Sequence, residues 1–146
     1  MEFKKELEDK INLLRKKRIV ITTPRLIILE YLLQNKVHPT AEEIYQKLRQ
    51  RFPSLSLASV YNTLKLFSRL GITTELLLEK EKARYDINTT AHAHFKCLNC
   101  GKIYDLDVKL PQVKKVIGHK ILSAQLYFYG ICQGCLKENE SQANKI

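Results

Sequence analysis

The chain has 146 residues and a formal net charge of +10 at pH 7, and 45 % of its residues are hydrophobic. This length suits one ordinary domain or two small ones, and no apolar run is long enough to cross a membrane. The N-terminal stretch MEFKKELEDK lacks the apolar core of a signal peptide, so we expect a cytoplasmic protein without a membrane partner. The positive charge is typical of proteins with a polyanionic partner, although a merely soluble basic surface would carry it too.

The first part of the chain predicts a series of short helices. Apolar residues spaced by three or four positions predict a helix over residues 3–16. Thr23 is the expected N-cap of a second helix, because a proline follows it at the first helical position. Thr40 and Glu43 form the capping-box pattern of a third helix, which we expect to end at about Arg51.

A fourth helix is predicted between Ser56 as its N-cap and Gly71 as its terminator. Residues 72–87 then suggest two strands joined by a charged turn. This order is that of a winged helix-turn-helix, in which the fourth helix contacts DNA. No carboxylate occurs between Ser54 and Leu70, as expected for a helix that approaches base edges. A packing helix with a polar face is the alternative.

The pattern changes to strand-like alternation after Asp86, which suggests a second, smaller α/β unit. We therefore predict an α+β protein with a winged helix-turn-helix DNA-binding domain over residues 1–87 and a metal-binding domain over residues 88–146. In the second domain, strands are expected within 91–97, 101–108 and 125–132, and a helix within 110–119.

The four cysteines form two CxxC pairs, which predict a structural zinc site. Each pair places two sulfurs on one side of a tight turn, and two pairs complete a closed Cys₄ shell. Without a secretion signal, disulfides are the less favoured alternative, and a redox role for one pair is another. The expected zinc ligands are Cys97, Cys100, Cys132 and Cys135.

Two histidines just before the first CxxC pair suggest a second metal site. His92 and His94 are two positions apart, so both project from the same face of a strand. An exposed strand can carry this pattern by coincidence. However, further nitrogen and oxygen donors occur at His38, Asp86 and Asp105. A metal that took ligands from both halves of the chain would set their relative orientation.

The stretches TTPRLIIL, HPTAEEIY, SLASVYNTLKLF, ARYD, HAHFKCLNCGKIYDL and YGICQGC resemble the Fur (ferric uptake regulator) family of metal-dependent bacterial repressors. The resemblance covers almost the whole chain and is greatest to the peroxide-sensing PerR branch. Asp105, where iron-uptake regulators have Glu, and Asn62, where they commonly have Arg, are the features that look like this branch. The resemblance implies an operator-binding homodimer that forms through the C-terminal domain.

The resemblance also implies roles for particular residues. It implies a regulatory Fe²⁺ or Mn²⁺ site formed by three histidines and two aspartates, namely His38, Asp86, His92, His94 and Asp105. Peroxide sensing would add oxygen to His38 or His92. The expected DNA contacts are Arg18, Ser59, Tyr61, Asn62 and Thr63. Relatives usually have Gly in the turn that here contains Lys17–Arg18, and a further histidine of many relatives is here Ala124, so a third metal site is not expected.

Other classes of function fit the sequence less well. An iron- or zinc-responsive uptake repressor of the same fold is the nearest alternative, because ligand types alone do not fix the metal. A nucleic-acid deaminase needs H-x-E and an open zinc position, whereas His94 stands where that Glu would be. We therefore expect no enzymatic activity and no small-molecule substrate. A metal-storage protein would not explain the acid-free fourth helix.

Overall fold

A computed structural model describes the chain apart from residues 91, 109–114, 122–123 and 144–146. The chain divides into two compact units, Met1–Thr89 and Thr90–Ile146. The first unit is mainly helical and the second is mainly strand, so the predicted α+β class is confirmed. Among the described residues, no helix combines the length and the apolar character needed to span a membrane.

The first unit contains four helices, and the second, third and fourth each begin at a side-chain N-cap. The Thr40 hydroxyl accepts a hydrogen bond from the Glu43 amide, and the Glu43 carboxylate accepts one from the Thr40 amide. The predicted capping box is therefore confirmed. Ser56 caps the fourth helix as predicted. The N-cap of the second helix is Thr22, not Thr23, because the Thr22 hydroxyl accepts a hydrogen bond from the Arg25 amide. The helices are α1 (Glu2–Lys16), α2 (Thr23–Gln34), α3 (Ala41–Leu48) and α4 (Leu57–Arg69).

Helices α1 and α4 end in the same hydrogen-bonding pattern, a Schellman motif. After α4, the Ile72 amide donates to the Phe67 carbonyl at 2.8 Å, and Gly71 takes a φ of 73°. After α1, the Ile19 amide donates to the Leu14 carbonyl at 2.9 Å. The residue with positive φ there is Arg18, at 56°. An arginine thus occupies a left-handed position that favours glycine.

The core of the first unit forms where the four helices meet. Ile28, Leu29, Ile44, Leu64 and Phe67 are fully buried there. An antiparallel hairpin of β1 (Thr74–Leu76) and β2 (Arg84–Asp86) follows α4, as predicted. An isolated bridge pairs the N-cap of α3 with the first residue of β2, so the hairpin is fixed to the start of that helix.

In the part of the second unit that the structure describes, three strands form one sheet in the order β4-β3-β7. Strand β3 (Ala93–Cys97) is antiparallel to β4 (Ile103–Leu106) and parallel to β7 (Leu126–Gly130). A small hairpin of β5 (Lys115–Val116) and β6 (His119–Lys120) precedes β7, and α5 (Gln133–Ala143) follows it. The helix predicted within 110–119 is wrong for residues 115–119, and the rest of that prediction lies outside the described residues.

Candidate metal centres and DNA-facing helix

The four cysteines come together in the second unit. Cys97 ends β3, and the second CxxC pair lies at the start of α5, beside the end of β7. The Sγ atoms of Cys97 and Cys135 are 3.9 Å apart, and those of Cys100 and Cys132 are 3.8 Å apart. Four sulfurs placed tetrahedrally at ~2.3 Å from a zinc ion would be about 3.8 Å apart. All four thiols are free, and the spacing fits zinc.

Backbone amides prepare one of these thiols to act as a thiolate. The amides of Cys100 and Cys132 donate to the Cys97 sulfur at 3.4 and 3.3 Å. These hydrogen bonds lower the pKa of the Cys97 thiol to about 6. Gly101, with a φ of 76°, allows the chain to turn after the first CxxC pair. Because zinc binds thiolates and not thiols, the turn favours the ligand form of Cys97.

A histidine and aspartate cluster lies at the start of β3 and on the neighbouring strand β4. His94 and Asp105 are direct partners across β3 and β4, and the His94 Nε2 atom is 3.3 Å from the Asp105 Oδ1 atom. The Nε2 atom of His92 is 3.1 Å from the same oxygen. Three of the predicted regulatory ligands therefore converge within the second unit.

A backbone contact orients one of these imidazoles. The Nδ1 atom of His92 is 2.6 Å from the Thr90 carbonyl oxygen. A neutral imidazole that donates its Nδ1 proton there keeps the Nε2 lone pair for a metal ion. The two faces of β3 also differ, since Phe95 packs against the cysteine cluster while His94 lies on the opposite face. The nitrogen donors therefore lie on one face of β3, and the Cys97 sulfur lies on the other.

The first unit brings together the other two predicted ligands. His38 lies in the loop before α3, and Asp86 ends β2. The His38 Nε2 atom is 3.5 Å from the Asp86 Oδ2 atom, and the aspartate is buried. The loop is held to the strand by two hydrogen bonds: Arg84 Nη1 donates to the His38 carbonyl at 2.9 Å, and the Tyr85 amide donates to the Pro39 carbonyl at 3.0 Å.

Helix α4 carries most of the predicted DNA contacts. Tyr61 and Asn62 are exposed, and Tyr61 is 43 % exposed. Ser59 is half-buried, and its hydroxyl is 2.9 Å from the N-capping Ser56 hydroxyl. Thr63 differs from the other predicted contacts, because only 5 % of it is exposed. It lies three positions after the buried Val60, on the face of α4 that packs into the core, so burial argues against its DNA contact, which stays a prediction.

One residue at this helix was missed from the sequence. Glu42, in the first turn of α3, accepts a hydrogen bond from the Tyr61 hydroxyl. Glu42 places a carboxylate beside α4, a helix with no acidic residue of its own. Local sequence could not show this contact, because it depends on the packing of α3 on α4. The hydrogen bond lowers the pKa of Glu42 and raises that of Tyr61. At neutral pH the proton therefore stays on the tyrosine and the carboxylate stays charged.

Comparisons with known proteins agree with this arrangement. Residues 16–129 match the sequence profile of the "Ferric uptake regulator family". The chain is 39 % identical over 138 residues to the "Peroxide-responsive repressor PerR" of Staphylococcus epidermidis, covering 91 % of this chain and 92 % of the relative. It is also 39 % identical to the "Peroxide operon regulator" of Bacillus subtilis, covering 91 % of this chain and 95 % of that protein.

Solved structures give the same result. The Helicobacter pylori ferric uptake regulator Fur, described as having three functional metal binding sites, is 25 % identical and aligns with a TM-score of 0.71 over 92 % of this chain and 93 % of that chain. A PerR from Streptococcus pyogenes, described in terms of peroxide sensing and gene regulation, is 36 % identical with a TM-score of 0.53, over 88 % of this chain and 92 % of that chain.

Proposed function

Since this chain belongs to the ferric uptake regulator family, we propose that it is a metal-dependent transcriptional repressor that senses peroxide. The observation that carries the proposal is the convergence of His92 and His94 on Asp105, beside a complete Cys₄ set. The two curated relatives that bear peroxide-related names match nine-tenths of the chain. The proposal makes the protein a cytoplasmic regulator and not an enzyme.

The first unit is the proposed DNA-binding domain, a winged helix-turn-helix. Its helix order, its hairpin and the exposed Tyr61 and Asn62 on α4 support this assignment. Arg18, which is also exposed, supplies a cation for the phosphate backbone. A homodimer would present two copies of α4 to successive major grooves of a pseudo-palindromic operator.

The Cys₄ set of the second unit would hold structural zinc. A closed thiolate shell leaves no position for a substrate, so the ion acts on stability and not on catalysis. The ion would join the end of β3 to the start of α5. The second unit is small, and its described residues form a sheet of three strands, so we expect its folding to depend on this link.

The proposed regulatory site takes Fe²⁺ or Mn²⁺ and uses donors from both units. His38 and Asp86 offer one nitrogen and one oxygen, and His92, His94 and Asp105 complete a set of three nitrogens and two oxygens. Such mixed nitrogen and carboxylate donors suit divalent iron and manganese. Metal binding would favour the one domain arrangement that contacts both half-sites of the operator, which is how a ligand shifts a conformational equilibrium.

Peroxide sensing follows from the ligand histidines. When bound, Fe²⁺ supplies the redox chemistry that activates peroxide, whereas Mn²⁺ supports repression without that chemistry. If peroxide then transferred one oxygen atom to a ring carbon of His38 or His92, its O–O bond would break, the second oxygen would leave as water, and the oxidised imidazole would be a poorer ligand. The regulatory set would lose a donor, and the metal-dependent preference for the DNA-binding arrangement would be lost.

The test compares DNA binding by the iron-loaded and manganese-loaded protein before and after peroxide. After peroxide, DNA binding should be lost only in the iron-loaded protein. The peptide that contains His38 or the one that contains His92 should gain the mass of one oxygen atom. His119 in β6 is exposed and outside the ligand set, so its peptide reports non-specific oxidation. DNA release without oxygen on either ligand peptide would contradict the proposed sensing chemistry.

The same experiment separates the alternative function. Metal-dependent DNA binding that peroxide leaves unchanged would favour an iron- or zinc-responsive uptake repressor. Binding must also weaken as salt rises, because phosphate contacts release counterions. Metal-loaded protein without salt-sensitive DNA binding would exclude both repressor functions.

A further inference from the structure

Glu42 contributes a negative charge to a surface that the proposed function turns toward a polyanion. It lies in the first turn of α3, and Tyr61 lies in the second turn of α4, one turn from the N-terminus. Only the packing of α3 on α4 brings the two side chains together. Lys82, in the turn of the hairpin, helps to stabilise the Glu42 charge.

The hydrogen bond between these residues has a fixed direction. A carboxylate at neutral pH is acceptor-only, so the Tyr61 hydroxyl must be the donor. A phenol has a single O–H proton, and that proton is committed to Glu42. The lone pairs of the phenol oxygen remain, so toward any other group the hydroxyl can only accept.

An acceptor-only tyrosine distinguishes among DNA groups. Phosphate oxygens are acceptors, so Tyr61 cannot hydrogen-bond to them while it donates to Glu42. In the major groove, guanine N7 and O6 and thymine O4 are acceptors as well. The amino groups of adenine (N6) and cytosine (N4) are the donors that match the phenol oxygen.

We propose that Glu42 is a specificity-determining residue that orients the Tyr61 hydroxyl to accept a hydrogen bond from the exocyclic amino group of adenine or cytosine. The inference rests on the proposed DNA-binding function and adds the chemistry by which one base is read. Glu42 itself is a positioning residue, since it acts through Tyr61. The negative charge of Glu42 lowers non-specific affinity for DNA. However, because Tyr61 then donates no hydrogen bond to phosphate, its hydroxyl oxygen is available to recognise a base.

The experiment selects binding sites from a random duplex DNA pool with the full-length, Mn²⁺-loaded protein. Wild-type protein should select adenine or cytosine at one position of each half-site. Tyr61→Phe keeps the ring and should lose that preference by about tenfold, a typical cost of one mismatched position. Glu42→Ala frees the hydroxyl proton, so guanine or thymine should become acceptable at the same position.

A matched control separates orientation from charge. Glu43→Gln removes the same charge from the same helical turn and retains the capping box, so it should change affinity equally for all sequences. The double variant Glu42→Ala/Tyr61→Phe should show the preference of Tyr61→Phe alone. The inference is overturned if Glu42→Ala alters affinity without altering base preference. If wild-type protein selects no sequence at all, the proposed function fails and this inference fails with it.

Discussion

Replacing Arg18 with glycine should stabilise the first unit while it weakens DNA binding. Arg18 holds a φ of 56° at the C′ position of the Schellman motif that ends α1. A left-handed conformation costs a residue with a Cβ roughly 1–2 kcal/mol. Glycine removes this cost but adds about 0.5–1 kcal/mol of chain entropy to the unfolded state. We therefore expect Arg18→Gly to raise the free energy of unfolding by about 0.5–1 kcal/mol.

The assay is denaturant unfolding of the zinc-loaded protein, followed by helical signal. Two variants control for the lost charge. Lys17→Gly removes a neighbouring charge at a position with a φ of −80°, where glycine should destabilise by a similar amount. Arg18→Ala removes the same charge and retains the strain, so it should leave stability nearly unchanged. DNA binding by both Arg18 variants should show a salt slope lower by about one. Destabilisation by Arg18→Gly comparable to that of Lys17→Gly would refute the strain argument.

Three further predictions concern the second unit and the buried tyrosine. Cys97→Ser should release zinc and unfold the second unit while α1–α4 persist. Hydrogen exchange, measured separately for the two units, will test this, and an equal loss of protection in both units would contradict it. Gly130→Ala places a Cβ 3.3 Å from the Phe95 ring and should destabilise the second unit by about 1 kcal/mol, whereas the matched Gly134→Ala meets open space and should not. Burial raises the pKa of Tyr85 to about 12 from an ordinary value of 10.0, so its stabilising contribution is complete below pH 10 and is lost as pH rises toward 12. Tyr85→Phe should reduce that alkaline decline in unfolding experiments; an unchanged decline would assign it to other groups.

The starts of the helices were predictable because their signals are local. The capping box at Thr40 and the cap at Ser56 need only neighbouring residues, and the structure confirms both. Thr22 and Thr23 offer the same hydroxyl, and only the path of the backbone decides between them. The burial of Thr63 could have been predicted, since it shares the helical face of Val60.

Other features depend on packing or on turn geometry that the pattern hides. The stretch LPQVKKVIGH was expected to form a helix within 110–119. Instead Ile117 and Gly118, with φ of 49° and 77°, form the two-residue turn of the β5–β6 hairpin. The contact of Glu42 with Tyr61 requires two helices to meet, so no local pattern indicates it.

For the candidate metal sites too, sequence spacing predicted some of the geometry, and strand pairing supplied the rest. Cysteine spacing alone predicted the Cys₄ set that the structure brings together. The period of a strand placed His92 and His94 on one face, and the register of β3 with β4 adds Asp105. The roles of these residues in regulation stay predictions until metal binding is measured.

Strand β3 has one more consequence for a protein exposed to oxidants. Its pleat sends the imidazoles to one side of the sheet and Cys97 to the other, with Phe95 covering the sulfur side. A short-lived oxidant formed among the histidines would meet imidazole carbon within a few ångströms, whereas the backbone of the sheet stands between it and the sulfurs. Under the proposed sensing chemistry, the sheet would act as a barrier between the histidine that is oxidised on one face and the zinc-binding sulfur on the other.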